Sequence, residues 1–325
     1  MKLEGGRRKV RGAKGPPSLQ GRGRRREAVR VRSSSSFESG EGVSGRHTLP
    51  SGLELETKYA KGVAGDLPPS RGKASLIHLH GSYHACWCWD NFFAYFASRG
   101  YDCYACSFLG QGSSSIPDGE VAGTVASHAL DVRHWISTIE GPKVLVAHSF
   151  GGLIAQKLVA TSPLEDIAAV ALLCSVPPSG NGAMSLRFLR RQPVSALQLA
   201  YAFVTRNFET NADVCRQIFF SESLPRSELL LYQSRMRESC NLPLLDVRAV
   251  SEELPVVQKS SREFEAFVCG TAADKVVDLD GVRETAETFG VEPVVFKSIA
   301  HDVMLDAGWE EVAESILAFL EGIPT

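Results

Sequence analysis

One serine stands where its hydroxyl could act as a nucleophile. Ser149 lies between a short apolar run of strand type at 144–146 and a segment at 153–159 in which apolar residues recur at roughly helical spacing. A serine at the apex of a tight strand-to-helix turn is pushed out of the sheet, and the crowded backbone requires small residues two positions to either side. Those positions hold Ala147 and Gly151. The free N–H groups at the start of the following helix favour negative charge beside the hydroxyl.

A serine hydroxyl is a poor nucleophile until a base accepts its proton, and a third group orients that base. His301 is the only histidine that follows Ser149 in the chain. It comes after the last predicted strand and before the last predicted helix. His301 is therefore the candidate base.

The stretch around Ser149 resembles the nucleophile elbow of the α/β-hydrolase family, with Ala147 in place of the usual first glycine. In that family the chain order is serine, then acid, then histidine. Asp274 lies in the loop just after a predicted strand, so the resemblance implies that Asp274 orients His301. The loop after the preceding strand has no carboxylate nearby. The alternative acids, a few residues further from the strand end, are Asp278 and Asp280.

The same resemblance implies an oxyanion hole made of two backbone N–H groups. One comes from the residue after the nucleophile, Phe150, and the other from the loop after the first central strand, Ser82. The chain is similar to plant members of the branch that has a helical cap inserted after the sixth strand. The segments that carry this similarity are His80–Gly81–Ser82–Tyr83–His84, residues 174–180 and Ala300–His301–Asp302.

Strand-like and helix-like segments alternate along most of the chain. An edge strand is predicted at 53–61, and further strands at 75–80, 102–108, 144–146, 167–174, 264–270 and 293–297. Helical patterns lie between most of them. The alternation predicts an α/β fold with a mostly parallel, doubly wound sheet of the α/β-hydrolase type.

The alternation stops between about Ser179 and Ser261. This stretch has only amphipathic helical segments, around 186–203, 213–220 and 228–236. An insertion of roughly 80 residues is too long for a loop in a compact domain and must be structured itself. We therefore predict four segments: a disordered basic segment at 1–50, the first part of the hydrolase core at 51–178, a helical cap at 179–261 and the second part of the core at 262–325.

Charge is distributed unevenly along the chain. Residues 1–46 carry 13 Lys and Arg against 4 Asp and Glu, whereas residues 47–325 carry 22 against 33. The acidic remainder argues against a nucleic-acid partner. The Arg- and Ser-rich start is typical of an organellar transit peptide, and the plant resemblance favours the chloroplast over the mitochondrion, with the cytoplasm as the alternative location. The alternative is a disordered tail, or one that contacts RNA or anionic lipid through its arginines.

Composition also bears on cofactors and on membranes. No apolar run is long enough to cross a membrane. The eight cysteines are scattered, several of them in apolar strand-like segments, and we expect reduced thiols. No glycine-rich phosphate loop follows a strand, which argues against a nucleotide cofactor. We expect no metal, although two groups of residues resemble ligand sets: His78, His80 and His84, and Cys86, Cys88, Cys103 and Cys106.

Several polar residues near the predicted site are expected to have structural roles. His148 beside the nucleophile should pack structurally, and Asp302 should begin a helix. Three arginines of the insertion are expected to form a solvated helix face, with attraction of an anionic substrate group as the alternative: Arg187, Arg190 and Arg191.

Together these features predict a serine hydrolase that cleaves a carboxylic ester, rather than a thioester or amide, of a small apolar substrate. The Leu and Phe content of the insertion indicates an apolar pocket beneath the cap. One alternative is a small-ligand binding protein or receptor on the same fold, and another is an acyltransferase or a C–C hydrolase that uses the same triad. No apolar surface stripe stands out from the core stripes, so the sequence indicates no particular oligomeric state.

Overall fold

A computed structural model of the chain describes residues 42–63, 73–161, 166–257 and 265–323. The predicted basic segment therefore lies outside the described residues except for positions 42–50. The predicted boundary between cap and second core part, at 261–262, also lies outside them.

One sheet organises the described part of the chain. Its eight strands are β1 (Val43–Thr48), β2 (Glu54–Ala60), β3 (Ser75–Leu79), β4 (Cys103–Cys106), β5 (Lys143–His148), β6 (Ile167–Leu173), β7 (Glu265–Thr271) and β8 (Val294–Phe296). They lie in the order β1-β2-β4-β3-β5-β6-β7-β8. The pairings of β1 with β2 and of β2 with β4 are antiparallel, and every other pairing is parallel. This is the mostly parallel α/β sheet that the alternation predicts.

The edge of the sheet differs from the prediction. The segment predicted as an edge strand is β2, which pairs with β1 on one side and β4 on the other. The edge strand is β1. Its residues are mostly exposed, and it contains glycine and arginine rather than an apolar face, so no alternating pattern marks it in the sequence.

Helices cover both faces of the sheet. The ten α-helices among the described residues are α1 (Asp90–Ala97), α2 (Val125–Ile136), α3 (Phe150–Thr161), α4 (Gly182–Arg191), α5 (Pro193–Thr205), α6 (Ala212–Phe219), α7 (Arg226–Ser239), α8 (Val247–Glu253), α9 (Leu279–Thr288) and α10 (Trp309–Glu321). Alternate residues of β5 enter different cores. Val144 and Val146 pack in the cluster that contains the aromatic residues of α1, whereas Leu145 and Ala147 pack in the cluster formed with α2 and α3.

Helices α4–α8 all lie between β6 and β7, which is the helical cap after the sixth strand. The segment at 186–203, predicted as one helical stretch, is two helices. Helix α4 ends at Arg191, Gln192 has a non-helical backbone, and Pro193 begins α5. Proline lacks an N–H and its ring clashes with the carbonyl four residues earlier, so it is tolerated only in the first turn of a helix. No helix in the described ranges is both long and apolar enough to cross a membrane.

Candidate active site

The site lies at the carboxyl ends of the central strands. The chain crosses from β4, on one side of β3, to β5 on the other side, and this reversal opens a crevice between the loops that follow β3 and β5. Ser82 lies in the first of these loops and Ser149 in the second. The predicted acid and base also follow strands, because Asp274 comes after β7 and His301 comes after β8.

Ser149 occupies a strained turn between β5 and α3. Its φ of 54° lies in the left-handed region, which residues other than glycine rarely adopt. Three backbone hydrogen bonds hold the turn. The Ser149 N–H donates to the Leu173 carbonyl at 3.1 Å, and the Ser149 carbonyl accepts from the N–H groups of Gly152 at 3.0 Å and Val176 at 3.1 Å.

Close approach of the backbone explains the small residues around the turn. A Cβ atom on Gly151 would lie 2.6 Å from the carbonyl oxygen of Leu79, and one on Gly152 would lie 2.5 Å from the Cβ of Ser175. Both distances are far below van der Waals contact. The start of α3 therefore packs directly against the backbone at the end of β3, and this packing aims the Ser149 side chain away from the sheet.

A continuous series of hydrogen bonds joins the three predicted triad residues. The Ser149 hydroxyl oxygen lies 3.1 Å from Nε2 of His301, and Nδ1 of His301 lies 2.7 Å from Oδ2 of Asp274. All three side chains are almost fully buried. With the Nδ1 proton donated to the carboxylate, Nε2 carries the free lone pair and can accept the proton of Ser149.

The loop after β7 holds Asp274 in place. Its Oδ1 accepts hydrogen bonds from the N–H groups of Val276 at 2.7 Å and Val277 at 2.9 Å, which leaves Oδ2 for His301. The two alternative acids have other partners. Asp278 caps the N-terminus of α9 through the Gly281 N–H. Asp280 lies 3.1 Å from Arg191 and 2.8 Å from Arg283.

Burial and neighbouring charges shift the pKa values of His301 and His148. Burial acts to lower the pKa of His301, but the Asp274 carboxylate outweighs it and holds that pKa above its ordinary value. Burial lowers the pKa of His148 well below its ordinary value, and the nearby His301 adds to the effect. His148 is therefore neutral, and its Nε2–H donates to the His301 carbonyl at 3.0 Å. It supports the backbone of the candidate base, in agreement with a structural role.

A buried ion pair beneath the site was missed in the sequence. Asp302 is fully buried, and its Oδ2 lies 2.9 Å from Nε2 of His84. The other ring nitrogen of His84 donates to the Ser82 carbonyl at 2.8 Å. Burial acts to raise the pKa of Asp302, but His84 and the neighbouring histidines hold it below its ordinary value. The pair connects the loop of the candidate base to the loop of the candidate oxyanion hole, and no local pattern could reveal it.

The two residues predicted for the oxyanion hole line the same cavity as Ser149. Phe150 is the first residue of α3, so its N–H has no partner within the helix. Ser82 follows Gly81, where an added Cβ would lie 2.8 Å from the Cβ of Ser149. The absence of a side chain at Gly81 thus lets the loop after β3 approach the nucleophile.

A cavity of about 560 Å³ opens above Ser149 and is mostly apolar. Its polar side carries Ser149, His301 and the loop after β3. Helices α4 and α5 form much of the remainder, which agrees with an apolar pocket beneath the cap. The apolar residues that line it include Val176, Met184, Phe188, Leu189, Leu197, Leu199, Phe203, Val204, Phe219 and Val276.

The cap arginines hold α4 against the core. Arg187 makes two hydrogen bonds to Asp278, both of 2.7 Å, and Arg191 lies 3.1 Å from Asp280. Both contacts join the cap to the start of α9. These arginines are therefore engaged with carboxylates of the protein, unlike the fully solvated face predicted for them.

The histidines and cysteines considered as metal ligands have separate environments. His78 donates to the Tyr104 carbonyl. His80 donates from Nδ1 to the Gly81 carbonyl and accepts the Phe108 N–H at Nε2. Burial lowers the pKa of His78 to about 4 and that of His80 to about 3. All eight cysteines are described, buried and free. Within the described ranges, the sets of three side chains close enough to share an ion are His148–His301–Asp302 and Cys174–Asp274–His301. Both include His301 of the hydrogen-bonded series.

Comparison with known proteins places the chain in a family. An epoxide hydrolase from Vigna radiata resembles it with a TM-score of 0.65 and 17% identity, over 88% of this chain and 99% of that one. Epoxide hydrolase A from Mycobacterium thermoresistibile has a TM-score of 0.65 and 18% identity, over 87% of this chain and 99% of that one. An esterase from Exiguobacterium antarcticum has a TM-score of 0.60 and 14% identity, over 86% of this chain and 100% of that one. At these identities the likeness concerns the fold alone. No curated protein sequence matches the chain. The model of the alpha/beta hydrolase family matches residues 76–315, which is most of the chain. The chain belongs to the alpha/beta hydrolase family.

Proposed function

We propose that this hydrolase cleaves a carboxylic ester of an apolar substrate with Ser149 as its nucleophile. The observation that carries the proposal is the hydrogen-bonded series from Ser149 through His301 to Asp274 at the wall of an apolar cavity. A protein that only binds a ligand would not need these three side chains to be hydrogen-bonded to one another.

The geometry supports the following steps. The Ser149 oxygen attacks the acyl carbon while Nε2 of His301 accepts its proton, and Asp274 stabilises the imidazolium that forms. The N–H groups of Phe150 and Ser82 stabilise the negative charge on the carbonyl oxygen. His301 then gives its proton to the departing alcohol, which leaves an acyl group on Ser149. Water, deprotonated by His301, releases the acid and restores the serine.

The residue at the elbow favours an ester over an epoxide. Some structures of similar fold are epoxide hydrolases and others are esterases. A serine that opened an epoxide would become an ether, and an ether has no carbonyl that water can attack. A serine that attacks an ester becomes an acyl ester, which the same base and the same oxyanion hole can hydrolyse.

The cavity supports an apolar substrate. Its volume of about 560 Å³ falls in the usual range for small-molecule sites, and most of its wall is aliphatic or aromatic. The polar groups cluster at Ser149 and His301, so one polar reacting group and an apolar remainder match the lining. We infer that the acyl or alcohol part lies beneath α4 and α5.

Labelling by a fluorophosphonate probe tests the proposal, because the probe reacts with an activated serine. We expect strong labelling of the wild type and none of Ser149→Ala or His301→Ala. Ser137→Ala, at the exposed end of α2, is the matched control and should be labelled like the wild type. Folded wild-type protein that stays unlabelled, while an unrelated serine hydrolase reacts in the same tube, would exclude the activated nucleophile. A panel of esters with graded acyl chains then defines the substrate.

A further inference from the structure

Helix α5 exposes apolar side chains to solvent. It has no charged residue along its 13 positions, and Ala202 is the only one that is buried. The exposed fractions of Val194, Leu197, Tyr201 and Val204 are 68%, 65%, 63% and 85%. Their spacing of three, four and three residues places them on one face of the helix. An apolar helix face left in water is unusual in a soluble domain and marks an interaction surface.

The neighbouring helix enlarges this surface. Leu186 and Leu189 of α4 are also exposed, at 47% and 44%. We call the six residues the cap patch: Leu186, Leu189, Val194, Leu197, Tyr201 and Val204. Leu189, Leu197 and Val204 also line the cavity above Ser149. The cap patch is therefore continuous with the apolar wall of the cavity and forms part of its rim.

Arg190 places a positive charge beside the cap patch. Between Asp166 and Glu209 the chain has no Asp or Glu, but it has Arg187, Arg190, Arg191 and Arg206. Three of these pair with carboxylates of the protein: Arg187 with Asp278, Arg191 with Asp280 and Arg206 with Glu209. Arg190 is exposed and forms no ion pair with the residues that the structure describes. An apolar face beside this arginine matches a surface that offers hydrocarbon together with negative charge.

We propose that the cap patch docks on a lipid bilayer that contains anionic lipid, with the cavity mouth against the membrane surface. The location of the patch favours lipid over a protein partner. A second copy of the chain or another protein seated there would cover the rim through which an apolar molecule enters the cavity. A fluid lipid phase covers the same rim and leaves that entrance open. This docking goes beyond the proposed ester hydrolysis and is measured without it.

Vesicle co-sedimentation of the full chain tests the proposal. The vesicles are phosphatidylcholine alone and phosphatidylcholine mixed with phosphatidylglycerol. The test variant is Val194→Glu combined with Tyr201→Glu, because neither residue lines the cavity. The matched control is Leu130→Glu on α2, where the side chain is 60% exposed. Wild type and control should bind mixed vesicles, and the double variant should bind them roughly tenfold or more weakly.

A second substitution and a size measurement distinguish docking through the cap patch from binding through the basic segment and from self-association. Arg190→Gln should weaken binding to mixed vesicles and leave binding to neutral vesicles unchanged. The basic segment at 1–46 is present in every variant, so equal binding by wild type and double variant would mean that this segment holds the vesicles and would overturn the proposal. Absence of binding to either vesicle would also overturn it. A wild-type dimer that the double variant converts to a monomer would identify a second copy as the occupant instead.

Discussion

Replacing Asp274 with Asn changes one atom of the hydrogen-bonded series. The new amide oxygen can still accept the N–H groups of Val276 and Val277, as Oδ1 does now. The amide NH₂ then takes the place of Oδ2, 2.7 Å from Nδ1 of His301. Two donors cannot face each other, so Nδ1 must become the acceptor and the ring proton must move to Nε2. Nε2 would then point a proton at Ser149 and could not accept one.

The expected loss is large because the substitution selects the wrong tautomer. The same change in a Ser-His-Asp protease lowers kcat by about 10⁴-fold, which corresponds to roughly 5 kcal/mol of barrier. We expect Asp274→Asn to lower kcat for an ester substrate to a similar degree. The pH profile should move as well. His301 must be neutral to act as a base, so activity falls as the pH drops through its pKa. Since Asp274 is what raises that pKa, the acidic limb of the residual activity should shift to lower pH.

Two assays and one matched variant decide the result. Steady-state hydrolysis across pH gives kcat and the acidic limb, and thermal unfolding shows that the variant is folded. Asp118→Asn makes the same substitution at an exposed residue that does not line the cavity, and it should keep kcat within about twofold. The reasoning would fail if Asp274→Asn kept a tenth or more of the wild-type kcat, or if Asp118→Asn lost as much.

Three further predictions concern packing, the buried ion pair and targeting. Gly151→Ala should destabilise the protein by roughly 1–3 kcal/mol in denaturant unfolding, because its Cβ meets the backbone of β3, whereas Gly182→Ala, with open space around it, should cost almost nothing. His84→Ala leaves Asp302 buried without its ion-pair partner and should cost about 3 kcal/mol of unfolding free energy; a loss below about 1 kcal/mol would contradict this. A fluorescent protein fused to residues 1–50 should enter chloroplasts in plant cells, and uniform cytoplasmic fluorescence would refute the transit-peptide hypothesis.

Short-range features were accessible from the sequence because their causes lie within a few residues. The turn at Ser149 follows from a strand, a helix and small residues at fixed offsets. The aromatic spacing of α1 and the apolar run of β5 come from the periods of helix and strand. The start of α5 was missed, although its cause is equally local, since Pro193 marks it. Strand β1 was missed because its residues are mostly exposed, so apolar and polar residues do not alternate along it.

Long-range features required the folded chain. The sequence by itself determined an α/β fold, a helical insertion after the sixth strand and a serine at a strand-to-helix turn. Three aspartates followed β7 in a suitable order, and only the path of the loop decided that Asp274 reaches His301 while Asp278 and Asp280 turn towards arginines. His84 and Asp302 lie 218 positions apart, and no local sequence pattern predicts their contact. The order of the elements and their periodicity can be read from neighbouring residues in the sequence. The approach of two loops depends instead on how every strand between them is packed in the sheet.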